Sequence, residues 1–462
     1  VSFMYKIDFK KPVHIHFIGI GGISMSGLAE ILLKAGFTVS GSDLRESELT
    51  RRLEEMGAKV YYGQRASNIT DDIDVVVYTA AIHEDNFEFR AVLEKDIDTL
   101  TRAELLGQIM ANYETAIAVS GTHGKTTTTS MISQILLQHH ADPTISVGGI
   151  LKSIGGNIRV GKSETFITEA CEYTNSFLSF NPTVSIILNV EEDHMDFFSS
   201  INEIRNSFRL FAERLPDSGL LIINGDIDNY EELTRGLTCR VITYGSAPSC
   251  NYSATNITFD ELARGTFDLV KDGAVTDRIT LGVTGLHNVS NALASIALAL
   301  DLGIPMDTIK KGLLAFSGTD RRFEYKGEIG GITVIDDYAH HPTEITATLT
   351  AAANYPHKNI WCVFQPHTYT RTKAFLKDFA KALSLADKVV LVDIYAARET
   401  DTLGVSSKDL LKELTDLGAE AYYFPSFDET ENFLLTNCMH GDLLITMGAG
   451  NVLKIGENIL GK

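Results

Sequence analysis

Apolar runs of strand length alternate with amphipathic runs of helical period along almost the whole chain, and few architectures tolerate that alternation. Residues 15–18, 75–79, 116–120, 184–188, 220–224, 332–336, 360–364, 389–392 and 443–447 read as buried strands. Helical periodicity follows many of them, as at 126–138, 288–302 and 372–382. A strand that is followed each time by a helix needs a crossover to its next partner. The expected fold class is therefore α/β, with parallel sheets covered by helices. A chain of 462 residues exceeds one core. Three blocks are expected: 1–113, opening with a strand, a glycine-rich turn and a helix; 114–318, opening with the strand 116–120; and 319–462, with its own α/β alternation. Residues 250–278 alternate with a β period and read as a small antiparallel insert without chemistry.

The net charge of −20 argues against nucleic acid and anionic membranes as partners. Any phosphate site must then be built locally, from backbone N–H groups, a few cations and metal ions. Five scattered cysteines without a CxxC pair suggest neither a disulfide framework nor a zinc site, and fit a reducing cytoplasm. No run approaches the ~18 apolar residues of a membrane span. The first twelve residues have no signal-peptide core.

Five motifs carry chemistry. Residues 19–24, Gly-Ile-Gly-Gly-Ile-Ser, join a strand to a helix. Glycines there permit a tight turn and close approach to a pyrophosphate at the helix N-terminus. Asp43, at the end of the next strand, stands where a ribose-binding acid would. A ligand-free turn is the alternative, and the motif alone does not specify NAD. Residues 121–126, Gly-Thr-His-Gly-Lys-Thr, form a phosphate loop two residues shorter than G-x4-G-K-[ST]. Its N–H groups would cradle phosphate, Lys125 would reach the β- and γ-phosphates, and Thr126 would ligate Mg²⁺. Glu169 and the stretch 189–196 follow strands on the ligand-binding edge of an α/β sheet. Glu169 and His194 read as functional, whereas Glu191, Glu192 and Asp196 read as a solvated, helix-capping acidic cluster. His287, Asn288 and Asn291 open an apolar helix and serve either a purine or the helix cap. The third block holds Arg321 and Arg322 near a hinge, and gathers His340, His341, His367 and Arg371 at two strand ends.

In this order GTHGKTTT, N-x-E-x-D-H-x-D, G-x-H-N-x-x-N, RRFE, DDY-x-HHPTE and QPH-x-YTRT resemble the Mur ligase family of peptidoglycan synthesis, with agreement from Gly19 to Asn451. The resemblance implies a Rossmann-like UDP-sugar domain over 1–113, a P-loop ATPase over 114–318 and a Rossmann-like amino-acid domain over 319–462. It implies that Gly19, Gly21, Gly22, Asp43, Thr79, Ala80 and Arg102 hold the UDP-sugar. Gly121, Thr122, His123, Gly124, Lys125, Thr126, Thr127, His287, Asn288, Asn291 and Arg322 would serve ATP. Thr126, Glu169 and His194 would bind Mg²⁺ or Mn²⁺, and Tyr338, His340, His367 and Arg371 would receive the amino acid. Lys125, His194 and His340 would be catalytic. The segment GIGG-x-x-MSGLAE in the first block implies addition of L-alanine to the lactyl carboxylate of UDP-N-acetylmuramate through an acyl phosphate. The alternative is attachment of recycled murein peptides to the same sugar. A cytoplasmic monomer or homodimer is implied, with no nucleic acid and no membrane insertion. The chain departs from the family at Ser24, where glycine is frequent, at Cys171 and Thr174, where acids are common, at Thr368, where arginine is frequent, and at Arg398, where glycine is usual. No lysine lies between Asp193 and Pro216, so no carbamylated lysine is expected.

Overall fold

The runs rich in β-branched and other apolar residues lie at the centres of three sheets. The structure, a computed structural model, describes residues 3–79 and 81–462. The first sheet has five parallel strands in the order Lys59–Tyr62, Thr38–Asp43, His14–Ile18, Val75–Tyr78 and Asp98–Thr101. Its strand order reverses beside His14–Ile18, so the glycine-rich turn opens onto the switch-point crevice. A fully buried pair, His16 Nε2 to Glu88 Oε1 at 2.7 Å, ties that strand to the helix Phe87–Glu94.

The second sheet has ten strands. Thr115–Ser120 lies between Thr165–Ala170 and Val184–Ile187, parallel to both. The register sets Val119 opposite Glu169 and Ser120 opposite Ile187, bringing Glu169 and the stretch after Ile187 to the end where the phosphate loop begins. Leu220–Asn224 and Arg240–Tyr244 extend the parallel part. The antiparallel meander Tyr252–Phe259, Arg264–Lys271 and Ala274–Thr284 then joins the same sheet through a parallel pairing of Tyr252 with Tyr244, so the predicted insert is an extension of the main sheet. The helices Lys125–Gln138 and Leu286–Asp301 pack together on one face.

The third sheet has six strands, of which Glu324–Ile329 and Ile332–Asp337 pair antiparallel and the rest are parallel. The helix expected over 372–382 is two helices, Tyr369–Ala374 and Leu376–Leu383. Phe375 breaks it with a non-helical backbone (φ −117°, ψ 24°), its buried ring lying 5.0 Å from that of His341.

One apolar cluster runs from Ile15, Phe17 and Leu105 of the first block into Phe177, Phe208 and Phe211 of the second. Phe177 stacks on Phe211 at 4.5 Å. Continuous burial of this kind makes the first two blocks one packed body. Among the described residues no helix is long and apolar enough to cross a membrane.

Candidate active site

The phosphate loop takes its shape from two glycines and its neighbours. Gly124 has φ 86°, and a Cβ there would meet Asn291 Oδ1 at 2.9 Å. That left-handed residue caps the helix Lys125–Gln138 with no side chain. The N–H groups of the first turn therefore keep free hydrogens available to an anion. His123 N donates to Asn189 Oδ1 at 2.7 Å, and Asn189 Nδ2 donates back to His123 O at 3.0 Å. Lys125 Nζ donates to Gly121 O at 2.6 Å and lies 3.6 Å from Glu172 Oε2. Burial alone would lower the Lys125 pKa, but Glu172, Cys171 and Glu169 more than offset it, so the ammonium stays charged.

Thr126 Oγ1 donates to Glu169 Oε1 at 2.6 Å, joining two of the three expected metal ligands. His194, with φ 53°, turns its Nε2 to 3.7 Å from Glu172 Oε1 and 3.6 Å from Asp193 Oδ2. Tyr173 covers its ring at 4.7 Å. Glu172 is buried, and its Oε2 has no hydrogen-bond partner. Glu172 Oε2 lies opposite the Lys125 ammonium, and Thr126, Glu169 and Glu172 offer oxygen donors of the kind Mg²⁺ or Mn²⁺ takes. Sequence reasoning passed over Glu172, although it lies three residues past Glu169.

A cavity of about 370 Å³ adjoins the loop. Thr127, His287, Asn288, Asn291 and Arg322, all expected at the nucleotide, line it. Asn288 Nδ2 donates to Thr284 O and Asn291 Nδ2 to Asn288 Oδ1, so neither caps the helix, which starts from Gly285. Leu262 and Arg264, from the meander read as lacking chemistry, line the same cavity. Only Arg322 of the hinge pair faces the cavity. Arg321 is structural, bound to Asp336 Oδ2 at 3.0 Å and to Gly448 O and Gly450 O at 2.8 Å.

The third block meets the loop through a charged seam. His123 Nδ1 lies 2.7 Å from Glu344 Oε2, and its Nε2 3.0 Å from Glu191 Oε2. Glu191 also accepts from Thr343 Oγ1 at 2.7 Å, and His341 Nε2 donates to Glu192 O at 2.8 Å. Glu191 is thus an interdomain contact and not a solvated cap; the next helix, Ile201–Glu213, is capped by Ser200. Asp196 accepts from the Tyr173 hydroxyl at 2.6 Å. His123, Glu191 and His341 have ligand spacing for a metal, but both His123 nitrogens and His341 Nε2 already hold hydrogen bonds across the seam, and His341 Nδ1 accepts from Thr343 N.

The four residues expected at the amino acid come together. The Tyr338 and His340 rings lie 5.3 Å apart, and those of His340 and His367 5.8 Å apart. Arg371 Nη1 is 3.1 Å from His367 Nδ1. Arg371 Nε donates to Asp193 Oδ1 at 3.0 Å in a buried pair between the second and third blocks. Burial raises Asp193, but the Arg371 charge prevails and holds it well below the usual carboxylate range. Burial pushes both His340 and His367 down to about 4, so each imidazole is neutral near pH 7. His340 Nδ1 donates to Tyr338 O at 3.0 Å, leaving Nε2 with its lone pair.

In the first block the glycine turn sits where expected. Gly22 begins the helix Ile23–Lys34 without a side-chain cap, and Gly19 turns the chain with φ 87°. Asp43 differs from expectation in its partners: Oδ2 accepts from Gly21 N at 2.8 Å and Oδ1 from Leu44 N at 2.7 Å. It braces the turn. Arg102 Nη1 donates to Ser24 Oγ at 3.0 Å, so the serine at the glycine position anchors a predicted ligand residue. Thr79 follows the strand Val75–Tyr78 on the same sheet edge, and Ala80 lies outside the described residues.

Residues 14–114 match the catalytic domain of the Mur ligase family, 119–299 the Mur ligase middle domain, and 321–450 the Mur ligase glutamate ligase domain. The UDP-N-acetylmuramate–L-alanine ligase of Agathobacter rectalis is 63% identical over 459 residues, covering 99% of this chain and 100% of its own. That of Lachnospira eligens is 63% identical over 458 residues, with 99% and 100% covered. Among solved structures, UDP-N-acetylmuramate–alanine ligase of Thermotoga maritima superimposes with TM-score 0.78 at 30% identity, over 97% of this chain and 98% of its own. A murein peptide ligase of Psychrobacter arcticus superimposes with TM-score 0.68 at 25% identity, over 97% and 98%.

Proposed function

The chain belongs to the Mur ligase family, and we propose that it joins L-alanine to the lactyl carboxylate of UDP-N-acetylmuramate at the expense of ATP, in peptidoglycan precursor synthesis. The observation that carries the reading is the full-length 63% identity to ligases of that name. The murein peptide ligase is the less similar relative, by both identity and superposition. Three units divide the labour: 1–113 for the UDP-sugar, 114–318 for ATP and 319–462 for the amino acid.

A carboxylate and an amine do not condense at neutral pH, because the leaving group is poor. Phosphorylation supplies a better one. The lactyl carboxylate attacks the γ-phosphate and yields an acyl phosphate with ADP, and the amine of L-alanine then displaces phosphate. The loop N–H groups from Gly124 to Thr127 orient the triphosphate, and the Lys125 ammonium stabilises the charge that builds on it. Thr126, Glu169 and His194, with Glu172 beside them, would hold Mg²⁺ or Mn²⁺, which screens the phosphate oxygens. His340, uncharged and with Nε2 free, does not repel the incoming amine and accepts a hydrogen bond from it as it attacks, with His194 the second candidate imidazole. The seam of His123, Glu191, Glu344 and His341 keeps the third domain on the loop and water off the acyl phosphate. Gly19, Gly21, Gly22, Thr79, Ala80 and Arg102 take the UDP-sugar, with Asp43 bracing their turn. We place the enzyme in the cytoplasm, as a monomer or homodimer.

The test is a phosphate-release assay with ATP and UDP-N-acetylmuramate, adding either L-alanine or the L-alanyl-γ-D-glutamyl-meso-diaminopimelate tripeptide. Release should require the sugar and L-alanine. Release with the tripeptide and not with L-alanine would refute the reading in favour of peptide recycling.

A further inference from the structure

A cavity of about 520 Å³ opens beside the Tyr338 cluster, with Arg371 on one wall and Arg398 on another. An amino acid that enters it brings a carboxylate, and the lining cations differ in what they have left to offer. Arg371 has Nε on Asp193 and Nη1 on His367, which leaves its Nη2 to a ligand. His367 is held neutral, and the His194 ring already lies between Glu172 and Asp193. Thr368 contributes only a hydroxyl, which accepts the Arg371 N–H to cap its helix. Arg398 has neither an ion pair nor a hydrogen bond among the described residues.

The acids of the cavity are engaged elsewhere. Asp193 is paired with Arg371, and Asp196 takes the Tyr173 hydroxyl. Glu399 accepts from Tyr369 N at 2.7 Å, Thr370 N at 3.0 Å and Thr370 Oγ1 at 2.6 Å. Those bonds clamp the loop bearing Arg398 onto the start of the helix that bears Arg371. Tyr395 adds to the clamp, its N donating to Pro366 O at 2.8 Å and its O accepting from Thr368 N at 2.9 Å. Ala397 is left-handed at φ 55°, a conformation a non-glycine residue keeps only when its surroundings impose it. The loop is therefore built to hold its next residue, Arg398, over the cavity. A planar fork with all its donors free is the group best suited to a carboxylate.

We propose that Arg398 binds the α-carboxylate of the incoming amino acid and so sets selection for a substrate with a free carboxylate next to its amine. This rests on the L-alanine reading above. It predicts that selectivity lies in two loops of the third domain, that of Arg371 and that of Arg398, clamped together by Glu399.

The test is steady-state kinetics of the full chain with L-alanine and with L-alaninamide, which lacks the carboxylate. Loss of one charge-assisted contact, at about 1.5–3 kcal/mol, corresponds to roughly a 10- to 100-fold rise in KM for L-alanine in Arg398→Ala. KM for ATP and for the UDP-sugar should stay within about twofold, which also shows that the variant is folded. Arg398→Lys should recover part of the loss. The preference for L-alanine over L-alaninamide should collapse in Arg398→Ala. A KM for L-alanine unchanged in Arg398→Ala, in a wild type that consumes L-alanine, would overturn the proposal alone. A wild type that consumes no L-alanine would overturn the function reading and this proposal with it.

Discussion

Replacing Glu344 with Gln tests whether the seam between the second and third domains is electrostatic. His123 stands between Glu344 and Glu191, at 2.7 and 3.0 Å, with only 10% of its side chain exposed. Burial on its own would push the imidazole below 6.5; the two carboxylates prevail and hold it at about 9. The interval from 6.5 to about 9 corresponds to ~3 kcal/mol in favour of the protonated ring. The folded chain binds this proton more tightly than the unfolded chain. The contribution is therefore full below pH 6.5 and is lost as pH rises through about 9. Glu344 is the larger source of attraction, so Glu344→Gln should remove roughly half of it or more, on the order of 1.5–2 kcal/mol. The imidazole pKa should then fall by about 1 to 1.5. Histidine-selective ¹⁵N labelling, with the His123 resonance assigned by its loss in His123→Asn, reads the value directly. Ordinary titration of wild-type His123 near 6.5, or no change in Glu344→Gln, would refute the reasoning. Glu344 would then be a neutral packing contact.

Lys125→Ala should abolish ADP formation while calorimetry finds UDP-sugar binding nearly intact, because Lys125 faces the phosphate loop and Glu172 and not the first domain; an equal loss of sugar binding would contradict the division of labour. Gly107→Ala should lower stability by ~1–3 kcal/mol, because the new Cβ would run into the Ser179 carbonyl where the first domain packs on the second. Thermal unfolding reads that change, and an unaltered midpoint would mean that the joint can open at no cost.

Much of the site was legible because strand ends are legible. Glu169 and the stretch 189–196 follow apolar runs, and chain order alone places such ends on one edge of a parallel sheet. What was misread depended on contacts between distant segments. Glu191 looks like a surface acid until Thr343 and His123, from two other segments, close on it. Asp43 stands where a ribose ligand would, and the structure adds that its oxygens also accept from Gly21 N and Leu44 N. Glu172 was passed over because nothing local distinguishes it from an exposed acid; its burial beneath Lys125 and His194 does.

The sequence by itself determined the α/β class, the three-block order, the phosphate loop and, through its motifs, the family. These follow from short-range facts: hydrophobic period, the freedom of glycine, and which side chains carry charge or lone pairs. The tertiary structure alone decided which charges are spent and which remain available. Arg321 is consumed by Asp336 and backbone carbonyls, Arg371 is held partly by Asp193, and His340 is kept neutral by burial, whereas the side chains of Arg322 and Arg398 face cavities without an ion pair or hydrogen bond among the described residues. A side chain's ionisation and partners depend on desolvation and on neighbours that are mostly distant in the chain, and no local pattern encodes those distances.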